Sequence, residues 1–408
     1  MNYYARETTN SWSKASDQFP VLLLTGPRQV GKTTFLQHNC PKNRNYVTLD
    51  DPVLRNLARE DPALFLQRFP PPVLIDEIQY APGLLSYIKM IVDSEKKPGL
   101  FWLTGSQQFQ MIKGISETLA GRVAIINLLG FSIRERCQLD LDIPPFLPTP
   151  PILSARQQSA ADSNLQTIYQ NIWLGGFPAL IAGAVKDRDL FYSSYLQTYL
   201  QRDIRDLAQV GNDAAFLRFI KACASRTGQL LNLSDLARDA DISVNTAKKW
   251  LSILQSALQV FLLPPYHSNL TKRLVKRPKL YFLDTGLAAY LTEWSSPQTL
   301  EAGAMSGAIF ETFVLTEILK SWWHRGQIPP LYYYRDKDKL EIDFLFVKDQ
   351  IVYPLEAKKS ATPKSEWINA FKTLNRLDLQ IGPGGVICLT ENLIPLKQNY
   401  NAIPVGLI

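Results

Sequence analysis

The clearest chemical signature of this chain is GPRQVGKTT, residues 26–34, directly after the apolar run PVLLLT. Its glycines, lysine and threonine follow the spacing G-x-x-x-x-G-K-[ST], which is typical of a loop that binds phosphate. Glycine lets the backbone aim its N–H groups at phosphate oxygens, and a helix beginning near Lys32 adds the positive end of its dipole. The lysine pairs with the β- and γ-phosphates, and the Thr33 hydroxyl binds Mg²⁺. The sequence therefore predicts ATP and Mg²⁺ as cofactors.

The whole loop is expected to surround the phosphates, without a separate role for the side chains of Arg28 and Gln29. It consists of Gly26, Pro27, Arg28, Gln29, Val30, Gly31, Lys32, Thr33 and Thr34.

Two adjacent carboxylates in PVLIDEIQ, residues 72–79, form the second signal. Asp76 ends an apolar run, where a carboxylate can hold Mg²⁺ through its waters. Glu77 can polarise the attacking water, as a general base or as an orienting group. A strand that ends in a solvated acidic turn would explain the same two residues, but their position downstream of a phosphate loop favours the catalytic interpretation.

Another apolar run, in FWLTGSQQF, ends in polar residues, of which Ser106 is the candidate for contact with the γ-phosphate or the water. The alternative is an ordinary helix cap, which serine also favours.

Five apolar runs must position these side chains. Runs of this length, separated by helical stretches, are typical of a parallel sheet that is covered on both faces. We therefore predict a doubly wound α/β domain with its ligand at the carboxyl ends of the strands. The runs are residues 20–25, 45–49, 72–76, 99–104 and 123–128.

A third group of chemical residues lies near the C-terminus, in LEIDFLFV and IVYPLEAK. Asp343 is on the first predicted strand, and Glu356 and Lys358 are two residues apart on the second, so that all three can meet on one sheet face. Two carboxylates and a lysine suit a Mg²⁺ site that activates water. An exposed ion-pair network on a two-stranded ribbon would explain the same residues.

The middle of the chain predicts a helix-turn-helix, with LSDLARDA as first helix, DIS as turn and VNTAKKWLSILQSA as second helix. Two strands around a basic loop follow and would complete a winged helix. The alternative is a lid or packing module without DNA contact. The residues expected to face DNA are Asn245, Thr246, Lys248 and Lys249 on the helix and Lys272, Arg273, Lys276, Arg277 and Lys279 on the wing.

Composition sets broad limits on the function. A chain of 408 residues with 46% hydrophobic and 20% charged residues can bury several cores. The net charge of +7 permits nucleic-acid binding but also fits solvated lysines. Four distant cysteines argue against a zinc site or a disulfide framework. With no signal peptide or membrane-length apolar run, we expect a cytoplasmic protein without a membrane partner.

Together the motifs GPRQVGKTT, VLIDEIQ, LTGSQQF and LAGRVAIINLLGFS resemble the AAA-superfamily ATPases that carry a C-terminal domain of unknown function. Further motifs extend the resemblance over the whole chain. By this resemblance Arg122 is a candidate for the developing charge on the γ-phosphate, acting within the chain or from a neighbouring subunit; a helix-end salt bridge is the alternative.

The C-terminal pattern resembles the PD-(D/E)xK nuclease superfamily, to which Holliday-junction resolvases belong. In that superfamily an earlier helix also contributes a glutamate; Glu311 in GAIFETFVLTEILK fits, with Glu317 as second choice. The resemblance implies a metal site of Glu311, Asp343, Glu356 and Lys358. It equally allows a nuclease-like fold that has lost cleavage and serves as a docking module.

The predicted architecture is an α/β multi-domain protein. Residues 1–145 form a P-loop ATPase domain of the AAA type, residues 146–225 a linker and helical region, residues 226–300 a winged-helix-like domain, and residues 301–408 an α+β nuclease-like domain. The proline-dense stretch 140–153, across the first boundary, is expected to be an extended linker or an ordered loop rather than a helix. We expect MgATP hydrolysis that moves the last two domains on DNA. The alternatives are a nucleotide-gated switch that docks a protein partner, or a metal nuclease licensed by ATP; a homo-oligomer is compatible with each.

Overall fold

The computed structural model describes residues 3–105, 118–198, 213–267, 277–336, 338–377 and 379–408. Its first sheet has five parallel strands in the order β2-β3-β4-β1-β5. Each predicted apolar run is one of these strands. They are β1 Val21–Thr25, β2 Asn45–Thr48, β3 Val73–Asp76, β4 Phe101–Gly105 and β5 Val123–Asn127.

Both faces of this sheet are covered, as the continuous apolar runs predict. Leu22 and Leu24 of β1 belong to one hydrophobic core, whereas Val21 and Leu23 belong to another on the opposite face. Successive side chains of a strand point to opposite faces, so a strand buried on both sides must be apolar throughout. The prediction of a parallel α/β sheet is confirmed.

Polar and proline residues define the helices of this domain. Asp51 and Asp61 cap two of them by accepting backbone N–H bonds, and each is followed by a proline at the first helical position, where no N–H donor is needed. The helices are Thr8–Ser16, Lys32–Asn39, Pro52–Glu60, Pro62–Arg68 and Leu84–Glu95, with a 3₁₀ turn at Ile78–Tyr80.

The region that follows is helical, and it differs from the prediction at one point. The proline-dense stretch 140–153 was expected to be free of helix, but a helix begins at Pro150. Pro150 and Pro151 occupy its first turn, where their missing N–H groups cost nothing. The helices here are Ile133–Arg136, Pro150–Gln157, Leu165–Leu174, Pro178–Ile181 and Arg188–Tyr195.

The predicted helix-turn-helix is present between residues 233 and 256. Leu233–Ala240 and Val244–Ser256 are the two helices, and Asp241 makes the turn in a left-handed conformation. Helix Asp213–Ser225 packs against the first of them. A small antiparallel sheet in the order β6-β8-β7 completes the unit. Its strands are β6 Gln229–Leu230, β7 Val260–Leu263 and β8 Lys279–Phe282.

The C-terminal part is built on a mixed seven-stranded sheet in the order β14-β15-β13-β11-β10-β9, with β12 beside β11. The two predicted strands pair in antiparallel fashion, with Phe344 opposite Leu355. The strands are β9 Leu331–Arg335, β10 Glu341–Lys348, β11 Ile351–Ala357, β12 Gln380–Ile381, β13 Gly384–Cys388, β14 Ile394–Lys397 and β15 Tyr400–Pro404. Two 3₁₀ segments, Ser365–Arg376 and Val405–Leu407, accompany them.

Helix Ser306–Trp323 is buried over nearly its whole circumference and joins the two halves of the molecule. The Trp322 indole N–H donates to the Phe146 carbonyl oxygen at 2.9 Å. Helices Thr285–Leu291 and Pro297–Ala302 precede it. Among the described helices, this long one included, none combines the length and apolar character needed to cross a membrane.

Candidate functional site

The phosphate loop lies between β1 and helix Lys32–Asn39, as predicted, and two glycines give it its shape. Gly31 has a φ angle of 89°, which side-chain-bearing residues rarely adopt. At Gly26 the constraint is a close approach, because a Cβ atom there would lie 2.0 Å from the Leu128 carbonyl oxygen. The two positions therefore require glycine for different physical reasons.

Lys32 is buried in the loop, with 6% of its surface exposed. Its Nζ donates to the carbonyl oxygens of Gly26 at 3.0 Å and Pro27 at 2.8 Å. Burial lowers the pKa of Lys32 to about 8, although the nearby charges of Glu77 and Asp76 act in the opposite direction. Among the described residues no carboxylate contacts this ammonium directly, and a desolvated cation of this kind suits an anionic ligand such as phosphate.

Asp76 lies at the carboxyl end of β3, beside the loop. The Thr33 hydroxyl donates to its carboxylate, at 3.0 Å from Oδ2. Tyr46 donates to the same oxygen at 3.3 Å, and Thr104 donates to Oδ1. A hydroxyl and a strand-end carboxylate in contact are the oxygen ligands that Mg²⁺ prefers.

Thr104, at the end of β4, positions both predicted acidic residues. Its hydroxyl donates to Asp76 and accepts the backbone N–H of Glu77 at 3.1 Å. Glu77 has a φ angle of 58°, a strained left-handed conformation for this residue type, and its carboxylate accepts a hydrogen bond from Gln79. The signal in the sequence for Thr104 is its polar side chain at the end of an apolar strand; Ser106, the residue predicted from that strand end, lies outside the described residues.

Arg122 is not brought to the phosphate loop of its own chain. It precedes β5 at the amino edge of the sheet, where its Nε and Nη2 lie 2.5 Å and 3.1 Å from the Asp93 carboxylate oxygens. The loop follows the other end of β1, about 13 Å away along a strand that rises about 3.3 Å per residue. The expected role within the chain is therefore corrected to a salt bridge; action from a neighbouring subunit stays a prediction.

A cavity of about 360 Å³ opens beside the phosphate loop. Aromatic and small apolar side chains make up most of its wall, so a flat apolar ring would fit between them. Sequence reasoning did not locate this cavity, because its walls come from distant parts of the chain. They include Tyr3, Tyr4, Phe131 and Pro178, next to Gly31 and Thr34 of the loop.

Arg6, which lies outside every sequence motif, connects the loop with the C-terminal half. It is buried, and its Nη1 and Nη2 donate to the carbonyl oxygens of Val30 at 3.0 Å and Leu129 at 2.7 Å. Its Nε pairs with Glu135 at 2.9 Å. The Leu129 N–H in turn donates to Nε2 of His324 at 3.1 Å.

Glu7, Glu135 and His324 lie close enough together to hold a metal ion. Both carboxylates are already engaged, however: Glu135 accepts from Arg6 and from the Glu7 N–H at 2.8 Å, and Glu7 accepts from the Ser132 hydroxyl at 2.6 Å. Burial would raise the pKa of Glu135, but the Arg6 charge, the neighbouring His324 and the hydrogen bond from the Ser132 N–H together outweigh burial and lower the pKa. These residues form an ion-paired joint, through which the N-terminal domain contacts the end of helix Ser306–Trp323. Glu317, the second choice for the nuclease glutamate, also faces this joint, since it accepts the Ile133 N–H at 2.7 Å.

The helix-turn-helix presents its predicted DNA-facing residues at the surface. Asn245, Lys248 and Lys249 are exposed, and Thr246 is half-buried beside the cap residue Ser243. On the predicted wing, Arg277 is exposed. Lys272, Arg273 and Lys276 lie outside the described residues.

Lys279 contradicts its predicted place on the wing, because it is buried with 3% of its surface exposed. Its Nζ lies 3.0 Å from Oε1 of Glu311, 2.6 Å from Oε1 of Glu341 and 3.5 Å from Oδ1 of Asp343. It points inward because these carboxylates, from the C-terminal part of the chain, compensate the desolvation of its charge.

The four residues of the predicted C-terminal metal site are brought together. Glu311, on helix Ser306–Trp323, approaches β10, where the Asp343 carboxylate accepts the Ala357 N–H at 3.0 Å. Lys358 Nζ lies 2.8 Å from Oε2 of Glu356 and 3.6 Å from Oδ2 of Asp343. The predicted convergence is thus observed, and whether it serves a metal stays open at this point.

The charges of this cluster are strongly coupled. Burial and the charge of Asp343 raise the pKa of Glu356 to about 9 and that of Glu311 to about 7. Burial would also raise the pKa of Asp343, but the charges of Lys279 and Lys358, together with hydrogen bonds from Glu356 and the Ala357 N–H, outweigh burial and lower the pKa. Burial would lower the pKa of Lys279, but the surrounding carboxylates hold it above its usual range. One site thus holds both a carboxyl that retains its proton at neutral pH and a fully charged carboxylate.

Comparison with known proteins divides the chain into three matched regions. Residues 18–137 match the model of a family described as AAA domain. Residues 165–298 match a domain of unknown function (DUF8612), and residues 306–408 match another (DUF4143). The first region contains the parallel sheet and the phosphate loop, and it is an AAA-type P-loop domain.

Solved structures with similarity include the Walker-type ATPase Paby2304 of Pyrococcus abyssi, at 15% identity and a TM-score of 0.44, covering 71% of this chain and 96% of that chain. A RuvB variant of Thermotoga maritima has 15% identity and a TM-score of 0.27, covering 63% of this chain and 88% of that one.

Two curated relatives match over almost the whole chain. The uncharacterized proteins Rv2008c of Mycobacterium tuberculosis and Mb2031c of Mycobacterium bovis are each 31% identical over 408 residues, which is 99% of this chain and 84% of theirs. With this identity over its full length, the chain belongs to the same family as Rv2008c and carries, within that family, an AAA-type P-loop domain.

Proposed function

We propose that this protein binds MgATP, hydrolyses it, and uses the turnover to move its helix-turn-helix unit and C-terminal sheet on DNA. One observation carries the proposal: Lys32 and Thr33, which open helix Lys32–Asn39, converge at one edge of the sheet with Asp76 and Glu77 at the end of β3. Cation, hydroxyl and paired carboxylates at that edge are the groups that phosphoryl transfer from ATP requires.

Each residue has a distinct task in this scheme. Lys32 would exchange the carbonyl oxygens of its own loop for the β- and γ-phosphates, while Thr33 and Asp76 would hold Mg²⁺. Glu77 would orient the water and accept its proton. The bound Mg²⁺ supplies positive charge against the phosphate oxygens. Thr104 would keep Asp76 and Glu77 aligned without touching the nucleotide, as a positioning residue.

The nucleobase would occupy the cavity beside the loop. Gly31 and Thr34 line both the loop and the cavity, so a ligand held by the loop at its phosphates can reach the aromatic wall with its base. Stacking against Tyr4 and Phe131, whose rings lie 5.2 Å apart, would then fix the ring.

The decisive test of the enzyme is the variant Glu77→Gln. It keeps size and polarity but removes the carboxylate, so we expect ATP binding within about threefold of the parent protein and hydrolysis reduced at least about 100-fold. Glu60→Gln, at an exposed helix end, is the matched control and should hydrolyse normally. Unchanged hydrolysis by Glu77→Gln would refute the assignment.

Coupling to the rest of the chain is supported by the buried contacts of Arg6. The Arg6 side chain donates hydrogen bonds to the carbonyl oxygens of Val30, in the loop, and of Leu129. The N–H of Leu129 in turn donates to His324. A change in loop conformation on binding ATP would therefore alter the hydrogen bonds at the end of helix Ser306–Trp323. Coupling of this kind is a proposal until both sites are shown to bias the same element.

DNA as the target is supported by the exposed Lys248 and Lys249 on the second helix of the helix-turn-helix. If both contact phosphates, the slope of log binding constant against log salt should fall by about 0.9 for each lysine replaced by alanine. Binding without any salt dependence would exclude DNA contact here.

A second candidate is a nucleotide-gated switch that docks a protein partner and cuts nothing. Lys279 at the centre of the C-terminal carboxylates favours it over the third alternative, a metal nuclease licensed by ATP. ATPase activity measured with and without DNA separates the first two candidates, because only an enzyme that works on DNA should be stimulated by it. A homo-oligomer that supplies Arg122 to a neighbouring site is compatible with either.

A further inference from the structure

The PD-(D/E)xK pattern implies a divalent metal ion among Glu311, Asp343 and Glu356, so the first question is whether the observed residues fit one. In the structure the space between Glu311 and Asp343 faces the ammonium of Lys279, at 3.0 Å and 3.5 Å from their carboxylate oxygens. Mg²⁺ needs those oxygens at about 2.0–2.1 Å around its own centre. A metal ion and this ammonium cannot share the position.

The ammonium is also well matched to its surroundings. A lysine has three N–H donors, and three carboxylates, those of Glu311, Glu341 and Asp343, lie within 3.5 Å of Nζ. Tyr281, two residues further along β8, donates from its hydroxyl to the same Glu311 oxygen at 2.5 Å. Two side chains of one strand are thus engaged with one carboxylate of the neighbouring part of the chain.

The lysine belongs to a different structural unit from the carboxylates. Lys279 begins β8, in the small sheet of the helix-turn-helix unit, whereas the acidic residues come from helix Ser306–Trp323 and β10. Backbone contacts join the two units nearby, with the Tyr266 N–H donating to the Tyr333 carbonyl oxygen at 2.6 Å. The ion cluster therefore lies at the joint between them.

We propose that Lys279 is the resident cation of the C-terminal carboxylate cluster, in the position that a nuclease would give to its metal ion, and that the cluster joins the helix-turn-helix unit to the C-terminal sheet. The site then takes no Mg²⁺ or Mn²⁺ and cleaves no phosphodiester bond. The disagreement with the nuclease pattern is local: Glu311, Asp343, Glu356 and Lys358 keep their expected places, and Lys279, from outside the pattern, occupies the space between Glu311 and Asp343.

The test is Mn²⁺ binding without nucleotide, measured by electron paramagnetic resonance on the full chain. The parent protein and Asp343→Asn should bind the same number of Mn²⁺ ions, because any ion at the phosphate loop is common to both. Lys279→Met, which removes the charge but keeps the apolar stem, should gain one Mn²⁺ per chain, and Lys279→Met with Asp343→Asn should lose it again.

Three results would overturn the proposal. One is an additional Mn²⁺ in the parent protein that Asp343→Asn removes. Another is DNA cleavage by the parent protein, with or without ATP, that Asp343→Asn abolishes. The third is a folded Lys279→Met protein, checked by circular dichroism, that gains no Mn²⁺. If Lys279→Met does not fold, the comparison of the parent protein with Asp343→Asn decides alone. ATP hydrolysis is measured separately, so failure here leaves the ATPase proposal untouched.

Discussion

Replacing Thr104 by valine tests whether this residue holds the two acidic groups of the ATP site in place. Valine has nearly the same shape but no hydroxyl. The change removes the hydrogen bond to Asp76 and leaves the Glu77 N–H, 3.1 Å from the hydroxyl in the native protein, without its acceptor. Because Thr104 is fully buried, water cannot replace the lost partner.

The magnitude follows from these two contacts. A hydrogen bond to a charged group contributes about 1.5–3 kcal/mol, and an unsatisfied buried N–H costs about 1–3 kcal/mol. We expect the free energy of unfolding to fall by about 2–5 kcal/mol, since the strand relaxes in part. Loss of a group that orients a metal-binding carboxylate lowers activity about 10- to 100-fold, so kcat for ATP hydrolysis should fall by that factor while ATP binding changes little.

Two controls make the measurement specific. Thr104→Ser keeps the hydroxyl and should retain most of the activity. Thr25→Val makes the same chemical change at the end of β1, where the buried Thr25 hydroxyl has no hydrogen-bond partner among the described residues, and it should leave hydrolysis unchanged. If steady-state kinetics show equal kcat for Thr104→Val and the parent protein, the positioning role is refuted.

Three further predictions concern the loop and its surroundings. The affinity for ATP should fall as the pH rises from 7 to 9, because the Lys32 ammonium, with a pKa of about 8 before ATP binds, becomes neutral and loses its attraction for phosphate; a dissociation constant that is flat over this range contradicts it. Gly26→Ala should abolish ATP binding in calorimetry because its Cβ would lie 2.0 Å from a carbonyl oxygen, whereas Gly83→Ala, with nothing within 4 Å, should bind normally; normal binding by Gly26→Ala would disprove the close approach. Arg122→Ala should leave hydrolysis by the monomer unchanged, since Arg122 pairs with Asp93 on the opposite edge of the sheet; a loss of activity that grows with protein concentration would instead indicate action across subunits.

Local patterns predicted the ATP site well. The spacing of Gly26, Gly31 and Lys32 has one common structural solution, and an apolar run that ends in Asp76 must place that carboxylate at the edge where β1 also ends. Parallel strands bring their carboxyl ends together whatever the loops between them do. The same reasoning brought Asp343 next to Glu356, because alternation along paired strands fixes which side chains share a face.

Contacts between distant segments could not be predicted in this way. Arg122 precedes β5, and the rule for parallel strands places it at the amino edge, but the sequence does not show that its partner there is Asp93, on helix Leu84–Glu95. Arg6 donates to the Leu129 carbonyl oxygen, more than a hundred residues away in the sequence, and the wall of the cavity likewise combines distant segments. The local periodicity of a sequence does not indicate contacts of this kind.

The sequence by itself determined the phosphate loop, the parallel strands, the helix-turn-helix and the pairing of the C-terminal carboxylates, because each depends on the period or spacing of neighbouring residues. Only the tertiary structure decided where Lys279 points. A lysine at a strand end favours solvent unless other parts of the chain supply enough negative charge to offset its desolvation, and the three carboxylates that do so lie 32, 62 and 64 residues further along, at Glu311, Glu341 and Asp343.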